Sequence, residues 1–145
     1  MIGSPNAAYF VYDGDDSDGV GAGPDPYGSA QIEQAFVDYL QGRLGVSVEG
    51  TDFDGRSDYG PFIAVGIPSG GLFTGAEGIK TPEQAAKWGG TAGVAYDPCY
   101  HQACDTLGNV DRVALDRNSD TIAWVVATYA ASTEGINGVP SSSTR

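Results

Sequence analysis

The chain has a single histidine, His101, which stands between its two cysteines in Cys99-Tyr100-His101-Gln102-Ala103-Cys104. Thiolates and imidazole are zinc donors, so these three side chains could together hold one ion. Three ligands on one such short segment is an unusual spacing, and there is no second cysteine pair to complete a structural site. The alternative is a disulfide that closes this small loop. It would remove on the order of 2 kcal/mol of unfolded-state freedom and hold Tyr100 and His101 in a fixed presentation. In its plainest form the segment is a stapled surface turn whose Tyr and His merely pack.

A second candidate is the carboxylate pair Asp116 and Asp120, four residues apart within a helical pattern. Side chains at that spacing emerge on one face and could share a hard cation, although both could equally serve only the helix N-terminus. Other patterns fall short. Gly55-Arg56-Ser57-Asp58-Tyr59 lacks the second glycine of a serine-hydrolase elbow. Gly19-Val20-Gly21-Ala22-Gly23 follows a run of aspartates and precedes Pro24, where a dinucleotide fingerprint needs a helix. The aspartates between Asp13 and Asp18 miss calcium-loop spacing for want of a Glu at the twelfth position, and read as solvated.

The scaffold that must position these groups is 145 residues long, one domain's worth of chain or part of a larger one. Seven basic residues face nineteen acidic ones, for a formal charge of -12. Such a field repels phosphate backbones and anionic headgroups, which argues against nucleic-acid and membrane partners. No apolar run approaches the ~20 residues of a membrane span. A lysine-poor acidic chain with a close cysteine pair suits an oxidising, extracytoplasmic compartment, and no basic start followed by an apolar stretch marks a secretion signal. With 22 glycines and 8 prolines, turns are many, and function is expected on loops.

Along the chain, Ala7 to Tyr12 is aromatic and β-branched and predicts a strand, and Asp13 to Pro26 predicts a surface loop. Ile32, Ala35, Phe36, Leu40 and Leu44 have the spacing of an amphipathic helix over 29–44, with Ser29 as N-cap. Val46 and Val48 suit a short strand, and Phe62 to Ile67 another short element. Thr81-Pro82-Glu83-Gln84 is a capping box with Pro at the first helical position, opening a helix that runs through Trp88. A final helix is expected over about 113–131, with Leu115, Ile122, Val126 and Tyr129 on one face, followed by a frayed Ser-rich tail. Alternating strand and helix signals favour an α/β architecture.

Several longer strings point further: Met1-Ile2-Gly3-Ser4-Pro5-Asn6, YFVYDGD from Tyr9, GRSDYGPF from Gly55, VGIPSGGLFTGAE from Val65, KWGGTAG from Lys87, CYHQACDT from Cys99 and ALDRNSD from Ala114. Together, over residues 1–132, they resemble the C-terminal portion of a secreted double-zinc aminopeptidase of the Streptomyces leucine aminopeptidase type, a zinc exopeptidase. The resemblance implies a mixed, mainly parallel sheet flanked by helices, with two zinc ions at the strand ends. The implied activity is removal of N-terminal, preferably large apolar, residues from peptide substrates. It gives His101 the role of a zinc ligand and Tyr100 that of the hydrogen-bond donor to the developing oxyanion. By the same resemblance Arg56 would help place the substrate's N-terminal end, Gly55 and Phe73 would line the pocket for the first side chain, and Asp116 and Asp120 match positions that hold a structural calcium. Residues 133–145 form the tail.

The same resemblance shows what this stretch lacks. Two zinc ions need two histidines, three carboxylates and a Glu base, and in relatives the missing ligands lie upstream, one of them a ligand aspartate just before the Met-Ile pair. Met1 is therefore expected to be an internal methionine, and the missing N-terminal part of the same domain an expected partner. Tyr59-Gly60 stands where relatives often carry His-Ala. The competing expectation is a noncatalytic acidic remnant of the fold that acts as a binding module.

Overall fold

The structure, a computed structural model, describes residues 1–21, 25–134 and 136. Strand β1 (Phe10–Tyr12) is the middle of a three-stranded sheet, paired in parallel with β2 (Glu49–Thr51) and antiparallel with β3 (Leu72–Phe73). The sheet is mixed as expected but not mainly parallel, with one pairing of each kind among the described residues. Strand periodicity gives its two faces different work. Tyr9 and Val11 enter the core with Phe36, Leu40, Ala114 and Val125 of the covering helices. Phe10 and Tyr12 join an aromatic layer, Phe10 with Phe73, Trp88 and Tyr96, and Tyr12 with Phe53 and Tyr59.

Helix α1 spans Ser29–Val37 and continues as π-helical turns over Asp38–Arg43. Its cap differs from the expectation. Gly28, at φ 107°, takes the N-cap position, and the fully buried Ser29 hydroxyl instead accepts from the Ser69 N–H at 3.1 Å. A left-handed backbone admits glycine at little cost, which is why the cap falls there. The short helix α2 (Gly60–Ile63) begins the segment expected at 62–67.

Helix α3 (Pro82–Trp88) has both bonds of its capping box, Thr81 and Gln84 satisfying each other's backbone N–H. Helix α4 (Arg112–Ala131) is capped by Asp111, whose carboxylate accepts from Val113 and Ala114 N–H. Its buried stripe is Ala114, Asn118, Thr121 and Val125, flanked by Ile122 and Tyr129. Leu115 and Val126 of the expected face are exposed instead. Small and polar residues turn inward because they are satisfied there: Asn118 donates to the Ile2 carbonyl and Thr121 to the Arg117 carbonyl. Residues 138–145 of the expected tail lie outside the described residues.

Two polar anchors fix the chain ends of the sheet. The buried Lys80 donates to the carbonyls of Ala7 and Gly89 at 2.8 and 2.9 Å, and burial lowers its pKa. Thr74 N–H donates to the Met1 carbonyl at 3.1 Å, while the Ser4 hydroxyl donates to Gly75 O at 2.7 Å. Met1 is thereby held beside the outer edge of β3. No described helix is long and apolar enough to cross a membrane.

Candidate active site

Three loops meet around Arg56. The first, after β2, turns at Gly55 (φ 80°). Asp54 accepts from the Arg56 N–H and the Tyr59 hydroxyl, both at 3.0 Å, and the same hydroxyl accepts from Gly55 N–H at 2.8 Å. Tyr59 therefore gives the loop its shape, and partial burial raises its phenol's pKa. Tyr12 packs against Tyr59 from below, and its own hydroxyl is pushed up in pKa, chiefly by burial.

The second loop follows β3 and carries Glu77. The third carries the two cysteines, which form a disulfide with Cα atoms 5.3 Å apart, so among the alternatives open for this segment the stapled loop is realised. That loop hangs from the buried Asp97: its N–H donates to Ala76 O, and its carboxylate accepts from Cys99 N–H and the Asn109 side chain, each at 2.9 Å. Tyr100 and His101 project from it with rings stacked 3.9 Å apart, His101 in a left-handed backbone conformation at φ 55°.

Between the loops lies a cleft of about 100 Å³ whose walls include Met1, Tyr12, Asp54, Arg56, Phe73 and Tyr100. Of the residues singled out in the sequence, it thus brings together Arg56, Phe73 and Tyr100, with Gly55 next to Arg56 in the turn. His101 is exposed beside them. Asp116 and Asp120 are exposed on α4 and take no part in the cleft. Arg56 joins all three loops. Its Nη2 donates to the Glu77 carboxylate at 3.0 Å and to the Tyr100 hydroxyl at 3.4 Å, and its Nη1 lies 3.8 Å from Asp54. Glu77, and after it Tyr100, hold Arg56's pKa above its ordinary value, and Arg56 in turn lowers that of Glu77.

Sequence reasoning missed Glu77 and Tyr59. Both stand within the strings quoted above, Tyr59 in GRSDYGPF and Glu77 at the end of VGIPSGGLFTGAE, but the resemblance gave neither a role; a further signal was Arg56 in a chain with nineteen acidic residues, where a carboxylate partner is to be expected. It also misread Asp13. Far from solvated, Asp13 is buried and accepts from the N–H groups of Ser17 and Asp18. Asp13, Asp15 and Glu33 place ligand atoms within 4.8 Å of one another, the one such carboxylate, histidine or cysteine group of three or more among the described residues. His101 belongs to no such group. Its exposed imidazole fits the role of a single zinc ligand, and the described residues do not by themselves complete a zinc site, which needs three protein ligands and an open position.

The model of peptidase family M28 matches residues 1–126. The chain is 52% identical over 143 residues to a probable lipoprotein aminopeptidase, LpqL, of Mycobacterium tuberculosis, covering 97% of this chain and 28% of that protein. It is 52% identical to leupeptin-inactivating enzyme 1 of Streptomyces exfoliatus, covering 92% and 27%, and 55% identical to a probable leucine aminopeptidase 2 of Aspergillus oryzae, covering 90% and 26%. The chain spans about a quarter of the length of these curated relatives. With the family model matched over most of its residues and its strongest motifs converging on one cleft, this chain belongs to peptidase family M28.

Proposed function

We propose that this chain is the C-terminal part of the catalytic domain of a secreted zinc-dependent aminopeptidase that releases N-terminal, preferably large apolar, residues from peptides. The carrying observation is the cleft itself, with Phe73, Arg56 and Tyr100 in its walls and His101, next in the chain to Tyr100, exposed. Phe73, with Gly55 leaving room, offers an apolar wall for the first side chain. Arg56 helps place the substrate's N-terminal end. Tyr100 donates its phenolic O–H to the oxygen that gains charge as the peptide carbonyl is attacked, an interaction stronger in the transition state than in the ground state. His101 supplies one neutral imidazole to zinc, and the remaining ligands and the base belong to the preceding part of the same domain. When bound, zinc polarises a carbonyl and makes a water acidic enough to lose its proton near neutral pH. Calcium at Asp116 and Asp120 is part of the same reading. So is secretion, which the names of the lipoprotein and leupeptin-inactivating relatives support.

The test is hydrolysis of a leucine anilide by the full-length protein that carries this chain, and by residues 1–145 alone, each with zinc. Turnover by the full-length protein and none by residues 1–145 is expected. A folded, zinc-loaded full-length protein without turnover overturns the proposal. Turnover by residues 1–145 that disappears in His101→Ala overturns the need for further ligands.

A further inference from the structure

Glu77 lies on the loop after β3, outside the walls of the cleft, yet it makes the closest contacts to the one cation there: Arg56 Nη2 is 2.9 Å from one of its carboxylate oxygens and 3.0 Å from the other. From that position the same Nη2 reaches the Tyr100 hydroxyl, and the guanidinium sits 5.8 Å from the Tyr100 ring centre. We propose that Glu77 is a positioning residue that holds the Arg56 guanidinium against Tyr100 and so aims the Tyr100 O–H into the cleft.

The chemistry of the three groups dictates this direction. A guanidinium only donates and a carboxylate only accepts, whereas a phenol does both. With Arg56 donating to its oxygen, Tyr100 must turn its own proton elsewhere. Accepting a bond from a cation also polarises the phenol into a better donor. Asp54 is the rival for the guanidinium, 3.8 Å from Nη1 and on the same turn as Arg56. Without Glu77, two alternatives remain to the guanidinium: collapse onto Asp54 or rotation into solvent. Both take the N–H away from Tyr100. Glu77 thus acts by choosing among partners of Arg56. An exposed pair of this kind adds little to stability, and its value lies in the geometry it selects.

The inference rests on the aminopeptidase reading above, and the experiment separates the two. In the full-length protein, Glu77→Ala is expected to lower kcat on an apolar aminoacyl anilide about five- to tenfold with a smaller change in KM and an unchanged melting temperature. In a Tyr100→Phe background the same substitution should lower kcat no further, since the hydroxyl it positions is gone. A direct readout that needs no turnover is the Arg56 side-chain NMR signal, resolved in the wild type and moved to the free-arginine position in Glu77→Ala. If wild type is inactive, the aminopeptidase reading fails. If wild type is active and Glu77→Ala matches it, or if its loss of kcat is undiminished in the Tyr100→Phe background, the role given to Glu77 is wrong.

Discussion

The N–H of Gly14 donates to the Glu33 carboxylate across 2.7 Å, tying the start of the aspartate-rich loop to the first turns of α1. The bond is bought against the local field. Burial, then the charges of Asp13, Asp15 and Asp18, push Glu33 up from 4.5 to about 7 despite the pull of the Gly14 N–H.

A folded pKa above the unfolded one means that folding takes up a proton between those two values. The contribution is present at low pH and lost as pH rises through about 7. Glu33→Gln keeps an acceptor for Gly14 and removes the charge. It is expected to leave stability unchanged near pH 4.5 and to raise it at pH 8 by on the order of 1 kcal/mol, after allowance for the solvent around this half-buried group. Denaturant unfolding of both proteins at the two pH values checks this; equal stability at pH 8 contradicts it.

The Cys99–Cys104 disulfide closes a short loop, so its loss should cost about 2 kcal/mol. Its larger effect is on presentation, because the loop carries both Tyr100 and His101. In protein recovered from the medium, alkylation without reductant should label neither cysteine. Peptide mass analysis showing two alkylated thiols in undegraded material would refute the pairing in solution. The double variant Cys99→Ser, Cys104→Ser should lose a larger share of full-length activity than its stability loss accounts for.

Tyr100 and His101 are stacked neighbours with different proposed work, and substitutions should part them. In the full-length protein, His101→Ala is expected to lower zinc content and activity together. Tyr100→Phe keeps the ring that stacks on His101 and deletes one donor. It should cost about 10²–10³ in kcat with zinc content held and KM far less affected. Elemental analysis beside steady-state kinetics reads both, and near-normal kcat in Tyr100→Phe reduces the phenol to a packing group.

Asp116 and Asp120, exposed on successive turns of α4, should bind calcium in the native state only, so that added calcium raises the melting temperature by mass action. Asp116→Ala, Asp120→Ala should remove that rise. The N-terminus of α4 already has its cap in Asp111, which leaves these two carboxylates free of that duty. An equal response to calcium in both proteins returns them to plain surface charge.

What the sequence discloses tracks how local the cause is. Helix α3 is legible because its cap, its proline and its stop at Gly89 stand within a few residues of one another. α4 is legible as a helix but not in its rotation. Hydropathy places Leu115 and Val126 inside, whereas the inward stripe is set by partners distant in the chain, such as Ile2 for Asn118. β3 is two residues long and owes its existence to β1, so no periodicity could announce it. The cleft follows the same rule. Arg56, Phe73, Tyr100 and His101 stand in long motifs to which the resemblance attaches a role, whereas Glu77, in the same string as Phe73, acts only through a residue 21 positions away, and Asp13 is buried only through the loop that folds back over it.

His101 occupies a left-handed backbone position at φ 55°, a conformation that Gly adopts without steric cost and that strains any residue with a Cβ, His included, although Asn, Asp and His enter it more often than others. Any search for thermostable variants that scores survival to heating alone will therefore tend to replace this histidine by Gly. It would gain robustness by discarding the imidazole. A directed-evolution library on this chain needs a functional screen at position 101, because there the demands of durability and of chemistry pull in opposite directions.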